Sequence, residues 1–271
     1  MNTPTSSSKL STRSLRLHNA APDCQYGFVQ VRFVGTGDAF GSGGRWQTCI
    51  RVTSGDQALL VDCGATSLAA LRAQGIDPQA VDVVAVTHLH GDHFGGLPFL
   101  ILDGQFARRT APLRIVGPPG TGVRLAATME ALFPGSSQVT RRFEVQVSEL
   151  APGGVIDLGA MRIRCWQVIH ESGAPPLALR VEDGQSSFAY SGDTEWTPAL
   201  IDAARGASLF AVEAYTFDKR VRYHLNYATL QTQAAGIEAA QIVLTHMSAD
   251  MLGRLDDAEF PAVHDGLSFN L

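Results

Sequence analysis

Three histidines and an aspartate lie within six residues of this sequence, directly after a strongly apolar run. The run is VDVVAV, residues 81–86, and the polar segment that follows it is THLHGDH, residues 87–93. The run is typical of a strand buried on both faces of a sheet. Protonated imidazoles crowded at the end of such a strand would repel one another unless a cation lay among them. The chain is therefore expected to hold a metal site at the edge of a sheet.

The rest of the chain alternates between short β-rich runs and helical segments, in two blocks without a linker. Strands are predicted over residues 28–34, 48–53, 58–62, 81–87, 113–116, 143–147, 161–169, 177–181, 188–190, 209–212 and 242–245, and helices over residues 66–74, 120–132, 198–205 and 227–240. Two β-rich blocks that each end in helices predict an α/β fold, a single-domain four-layer αββα sandwich. The domain is expected to span residues 27–271, after a disordered tail over residues 1–26.

Composition restricts the function classes. The chain has 271 residues and a net charge of −5, which argues against binding nucleic acid by phosphate neutralisation alone. No apolar run is long enough for a membrane span, and no secretory signal is expected, because the first residues lack the apolar segment of such a signal. The four cysteines form no C-x-x-C pair, so neither a zinc ribbon nor a redox motif is indicated, and a cytoplasmic location is expected.

Further candidate ligands follow other predicted strands. His170 comes after residues 161–169, Asp193 after 188–190 and His246 after 242–245. Since strand ends at one edge of a sheet converge, these side chains are expected to join the histidines of residues 87–93. A zinc ion takes about four ligands. The carboxylate of Asp193 can bridge two ions.

Five segments in this order resemble the metallo-β-lactamase-fold hydrolases, in the branch of ribonuclease Z and the carbon-phosphorus-pathway cyclic phosphodiesterases. They are residues 33–40 (FVGTGDAF), residues 87–93, His170, residues 191–194 (SGDT) and residues 244–248 (LTHMS). The resemblance implies two divalent metal ions, with Zn²⁺ expected and Mn²⁺ or iron as alternatives. It implies that His88, His90 and His170 hold the first ion, that Asp92, His93 and His246 hold the second, and that Asp193 bridges them.

The resemblance also implies a mechanism, in which a metal-bridging hydroxide attacks the substrate. Asp92 would act as general base as well as ligand. His224 occupies the place of a further histidine that faces the scissile phosphate, and Glu213 aligns with the glutamate of a His-Glu-Ala-Thr motif. We expect Glu213 to orient His224, which would donate a proton. The chain departs from the motif at Val212, where the family has the first histidine.

The expected substrate is a small or cyclic phosphodiester. In ribonuclease Z enzymes, a long arm that binds transfer RNA is inserted between the positions that correspond to His170 and Asp193. This chain has only 22 residues in that interval. The short interval and the acidic net charge together argue against transfer RNA as a partner. The alternatives are a hydrolase of lactones, thioesters or other acyl compounds, RNA processing without the arm, a redox diiron protein and a non-catalytic sensor. The resemblance further implies a homodimer.

Overall fold

The structure, a computed structural model, describes residues 29–271. The predicted tail over residues 1–26 lies outside the described residues. Within residues 29–271 there are thirteen strands, in chain order β1 (Gln30–Gly35), β2 (Cys49–Ser54), β3 (Gln57–Val61), β4 (Val83–Ala85), β5 (Leu113–Gly117), β6 (Val145–Glu149), β7 (Val155–Asp157), β8 (Arg162–Gln167), β9 (Leu177–Glu182), β10 (Ser187–Tyr190), β11 (Leu209–Glu213), β12 (Ile242–Thr245) and β13 (Ser268–Asn270).

The strands form two mixed sheets. The first has the order β13-β1-β2-β3-β4-β5-β6, with antiparallel pairing from β13 to β3 and parallel pairing from β3 to β6. The second has the order β12-β11-β10-β9-β8-β7, in which β10, β11 and β12 are parallel and the remaining pairs are antiparallel. Each sheet thus contains a parallel part whose strands end at a common edge.

Helices cover the outer faces of both sheets. They are α1 (Ser67–Ala73), α2 (Gly91–Phe94), α3 (Leu97–Phe106), α4 (Thr121–Leu132), α5 (Ala199–Ala204), α6 (Tyr227–Gln233) and α7 (Ala249–Leu252). One apolar cluster joins α1, α3 and α4 to the first sheet, and another joins α5, α6 and α7 to the second. No helix in residues 29–271 is long and apolar enough to cross a membrane.

The central layer of the core lies between the sheets. Side chains alternate across each strand, so Leu59 packs between the sheets whereas Leu60 packs under the helices. Val83 and Val84 of β4 divide in the same way, which explains the continuous apolar run at residues 81–86. The predicted four-layer αββα sandwich is confirmed.

The predicted elements differ from the observed ones mainly in extent. The strand expected over residues 81–87 is reduced to Val83–Ala85, and the helix expected over residues 227–240 ends at Gln233, before a single 3₁₀ turn at Ala234–Gly236. Gly236 favours an end here because glycine is a weak helix former. Helix α3, the short strand β7 and the C-terminal strand β13 were not predicted from the sequence.

Candidate metal centre

The candidate ligands lie at the ends of strands from both sheets. His88 and His90 follow β4 of the first sheet, while His170, Asp193 and His246 follow β8, β10 and β12 of the second. Because β8 is antiparallel to β9 and β9 is antiparallel to β10, β8 runs in the same direction as β10. All three strands of the second sheet therefore end at one edge, which meets the end of β4.

His88, His90 and His170 form the first group of nitrogen donors. One ligand atom from each lies within 4.8 Å of those of the other two. His90 Nδ1 is 3.0 Å from His170 Nε2, a separation of the size found between ligands of one small ion. His88 Nε2 is buried and has no hydrogen-bond partner among the described residues. The group thus offers an unsatisfied, fully buried nitrogen toward its centre.

Asp92, His93, Asp193 and His246 form the second group. His93 Nε2 lies 3.2 Å from His246 Nε2 and 3.3 Å from Asp92 Oδ2, and all four residues are buried. Gly91, which precedes Asp92, does not have a positive φ angle; it begins the four-residue helix α2, which turns Asp92 and His93 toward this group.

Asp193 lies between the two groups. Its Oδ2 is 3.9 Å from both His88 Nε2 and His170 Nε2, whereas its Oδ1 is 3.2 Å from His93 Nε2 and 3.4 Å from His246 Nε2. One carboxylate oxygen therefore faces each group. This is the arrangement that a carboxylate bridging two ions requires.

The donor set fits two divalent cations. Buried imidazoles and carboxylates at these separations match the ligand types of zinc and of other first-row metals. These two groups contain the seven residues that were predicted as ligands from the sequence: His88, His90, Asp92, His93, His170, Asp193 and His246. Glu213 and His224 form a third group of donors with Asp193 and His246. The structure brings all seven together; which of them bind an ion stays a prediction.

The pKa values of the histidines differ between the groups. Burial and the neighbouring His93 lower the pKa of His88 well below its ordinary value. Burial opposes protonation of His93 as well, but Asp193, Asp92 and Asp62 raise its pKa well above the ordinary value. Asp193 and Asp92 likewise raise the pKa of His246 to about 10 against the effect of burial. In the absence of metal, the second group is thus the more cationic at its histidines.

Asp62 is a further residue of this region that was not predicted from the sequence. It follows β3, is fully buried, and accepts hydrogen bonds from Thr87 N at 2.7 Å and Thr87 Oγ1 at 2.8 Å. His93 Nδ1 lies 2.7 Å from Asp62 Oδ2. A carboxylate at Nδ1 leaves Nε2 free to face the second group. Its position after an apolar strand is the same signal that identified His170 and Asp193.

Glu213 and His224 lie beside the second group and contact each other. His224 Nδ1 is hydrogen-bonded to Glu213 Oε1, and Glu213 is fully buried at the end of β11. Burial alone would lower the pKa of His224, but the hydrogen bond and charge of Glu213 raise it above the ordinary value. Tyr215 stacks on the His224 ring at a centroid distance of 4.4 Å. The pairing expected from the sequence is present in the structure.

A cavity of about 490 Å³ opens next to His224. Its lining includes Glu195, Trp196, Arg220, Arg222 and Asn226. Both arginines are exposed, so they lie at the rim rather than in the interior. The cavity has the size of a small-molecule site.

Comparison with known proteins identifies relatives of this chain. The family described as anti-Pycsar protein Apyc1 matches residues 29–263. A ribonuclease Z of Mycobacterium marinum is 27% identical over 250 residues, which cover 84% of this chain and 90% of that protein. The match therefore spans nearly the whole of both sequences.

Three solved structures share the fold. The metallo-β-lactamase fold protein YhfI of Bacillus subtilis has a TM-score of 0.74 at 20% identity, covering 91% of this chain and 100% of its own. The short form of human tRNase Z has a TM-score of 0.73 at 24% identity, with coverages of 89% and 98%. A diphosphatase of the PhnP family has a TM-score of 0.70 at 16% identity, with coverages of 90% and 98%.

At such identities the structural likeness establishes the fold, and the match to the family over residues 29–263 establishes membership. The chain belongs to the anti-Pycsar protein Apyc1 family and is a ribonuclease Z-like enzyme of the metallo-β-lactamase fold.

Proposed function

We propose that the chain is a dinuclear metal-dependent phosphodiesterase that hydrolyses a small or cyclic phosphodiester. The observation that carries this proposal is the position of Asp193, with one carboxylate oxygen facing each of two groups of buried donors. Two divalent ions at such a site lower the pKa of water and neutralise the charge on phosphoryl oxygens. Zn²⁺ is the proposed metal, because imidazole and carboxylate donors suit it; Mn²⁺ and iron remain alternatives.

The side chains divide the remaining work. Asp92 accepts a hydrogen bond from the attacking water and serves as general base. His224, whose pKa is raised above its ordinary value by Glu213 and so favours the protonated ring, donates a hydrogen bond to the phosphoryl group and a proton to the departing oxygen. Glu213 orients the His224 ring through the contact at Nδ1.

A small substrate is favoured by two features. The 22 residues between His170 and Asp193 are occupied by β9 and β10 of the sheet, so this interval supplies no separate arm. The cavity of about 490 Å³ beside His224 matches a ligand of low molecular mass. RNA is the second candidate substrate, because the similar protein of Mycobacterium marinum is a ribonuclease Z. The exposed residues Arg220 and Arg222 supply positive charge at the cavity.

A panel of substrates tests this function. The metal-reconstituted chain is assayed on bis(p-nitrophenyl) phosphate, cyclic phosphodiesters, a phosphomonoester, a lactone, a thioester and a transfer RNA precursor, with element analysis of the same sample. We expect turnover of the phosphodiesters, and its loss together with bound metal in His90→Ala and Asp193→Ala. The exposed His264→Ala is the matched control. Hydrolysis of the acyl compounds alone, or of the precursor alone, would refute the proposal.

Three further expectations stay predictions. They are a homodimer, which sedimentation of the purified protein tests, a cytoplasmic location, and a domain that begins near residue 27. A chain starting at residue 27 that retains the fold and the bound metal of the full-length protein would bear out this boundary.

A further inference from the structure

The segment that carries His224 passes through a residue with an unusual backbone conformation. Tyr223 has a φ angle of +70°, in the left-handed region that side chains other than glycine rarely adopt. Such a conformation persists only where surrounding contacts hold it, and it is frequent near functional sites. The contacts that hold Tyr223 in this conformation therefore contribute to the geometry of the site.

Two hydrogen bonds fix the backbone on both sides of Tyr223. Its N–H donates to Glu195 Oε1 at 2.7 Å, and its carbonyl oxygen lies 2.9 Å from His170 Nδ1, which donates to it. The first bond orients the peptide that enters Tyr223, and the second orients the peptide that leads into His224. Neither bond uses the tyrosine side chain.

The bond to His170 has a consequence for the first group of donors. With the proton on Nδ1, the Nε2 atom of His170 is left as the acceptor that faces His90 Nδ1 at 3.0 Å. Glu195 is also connected to this region through its backbone, because Glu195 N donates to Ile169 O at 2.9 Å. The residues before His170 and after Asp193 are thereby joined.

We propose that Glu195 is a positioning residue that acts through the backbone of Tyr223 on both His170 and His224. Its carboxylate accepts the Tyr223 N–H, this fixes the Tyr223 carbonyl, and the carbonyl fixes the tautomer and ring orientation of His170. The same constraint fixes the position of the His224 backbone. The part of the proposal that concerns His224 rests on the proposed function, whereas the part that concerns His170 does not.

The test compares substitutions that keep and remove the acceptor. In Glu195→Leu we expect one of two zinc equivalents to bind about 10–100-fold more weakly, as is typical when the partner of a metal-binding histidine is lost. For phosphodiester hydrolysis, we expect the fold-decrease in kcat to be larger than the fold-change in KM. Glu195→Gln retains an amide oxygen at the same place and should restore both properties to within about threefold of the original chain. Zinc affinity is measured by competition with a chromophoric chelator, without substrate.

Two controls separate this role from others. Glu171→Leu removes an exposed carboxylate next to His170 and should leave zinc affinity unchanged. Tyr223→Gly keeps both backbone groups in a conformation that glycine readily adopts, but it removes a ring whose centroid lies 6.4 Å from that of His170, so we expect a smaller loss of zinc affinity than in Glu195→Leu. If Glu195→Leu does not fold, Glu195→Asp, which withdraws the acceptor by one methylene, carries the same expectation.

The outcomes against the proposal are distinct. Unchanged zinc affinity in Glu195→Leu, or equal losses in Glu195→Leu and Glu195→Gln, would overturn it. An equal loss in Glu171→Leu would point to charge rather than to the hydrogen bond, and an equal loss in Tyr223→Gly would point to the tyrosine side chain. Failure of the original chain to hydrolyse any phosphodiester refutes the proposed function instead, because the zinc titrations are independent of substrate.

Discussion

Glu213 is the residue through which His224 and His246 are connected. Its Oε1 atom contacts His224 Nδ1 and lies 3.5 Å from His246 Nδ1, while its Oε2 atom accepts the N–H groups of Thr194 and Leu225 at 2.9 and 3.2 Å. A buried carboxylate that accepts several hydrogen bonds is held in one position. Glu213 therefore supports one proposed ligand and one proposed proton donor at the same time.

His224→Ala should separate catalysis from metal binding. The side chain of His224 is 21% exposed and its Nδ1 lies 4.0 Å from Asp193 Oδ2, in a third group of donors with Glu213 and His246. His224 is outside the two groups proposed to hold the ions, so both metals should remain bound. Loss of a proton donor typically lowers turnover about 10²–10⁴-fold, which we expect in kcat for bis(p-nitrophenyl) phosphate. His264→Ala, another histidine substitution at an exposed site, serves as control. Release of metal by His224→Ala would instead identify His224 as a ligand.

Metal uptake should release protons chiefly from the second group. The pKa of His246, about 10, keeps its ring protonated at pH 7 in the metal-free chain, and the pKa of His93 is shifted in the same direction. The pKa values of His88 and His90 are lowered instead, which favours their neutral rings. Since a metal binds the neutral imidazole, affinity at the second group should rise with pH, about tenfold per unit for each proton displaced. Calorimetry in buffers of different ionisation enthalpy counts these protons. Two sites with the same weak pH dependence would contradict this assignment.

At the scale of elements, the sequence predicted well what local pattern determines. The strand before His88 was recognised because both of its faces are buried, and the ligands after β8, β10 and β12 were recognised because each follows an apolar run. Helix α3 was missed because LPFLILDGQF is apolar on all sides and has no helical period. Strand β13 was missed because it is three residues long and pairs with β1, about 240 positions away. Pairing at that separation is not encoded in local periodicity.

The loop after β3, which contains Gly64, packs closely against α2. We therefore expect substitutions at Gly64 and at Gly91 of α2 to have different effects. A Cβ atom on Gly64 would lie 2.2 Å from the carbonyl oxygen of Asp92, so Gly64→Ala must displace the residue that carries a candidate ligand. We expect a loss of about 1–3 kcal/mol in the free energy of unfolding and weaker metal binding. Gly91→Ala is the matched control: its Cβ would meet nothing within 4 Å, and alanine favours the helix that begins there. Chemical denaturation and zinc titration measure both effects, and equal behaviour of the two variants would disprove the steric explanation.

At the scale of the whole molecule, the candidate ligands divide between the sheets. His88, His90, Asp92 and His93 follow β4 of the first sheet, while His170, Asp193 and His246 come from the second. Each donor group draws on both sheets, so an ion in either group would connect the two halves of the sandwich. The sequence could identify the donors but not this division, because it depends on the order of strands in the sheets.

Removal of metal should consequently destabilise both sheets together. A ligand that binds only the folded chain stabilises it by about 4 kcal/mol at roughly 1,000 times its Kd, which corresponds to an increase in Tm of roughly 10 °C for a chain of this size. We expect chelation to lower Tm by this amount and to increase hydrogen exchange in β4 and β12 alike. In Asp193→Ala, which lacks the carboxylate between the groups, added zinc should restore little of the Tm. Faster exchange confined to one sheet would show that the metals do not link the halves of the sandwich.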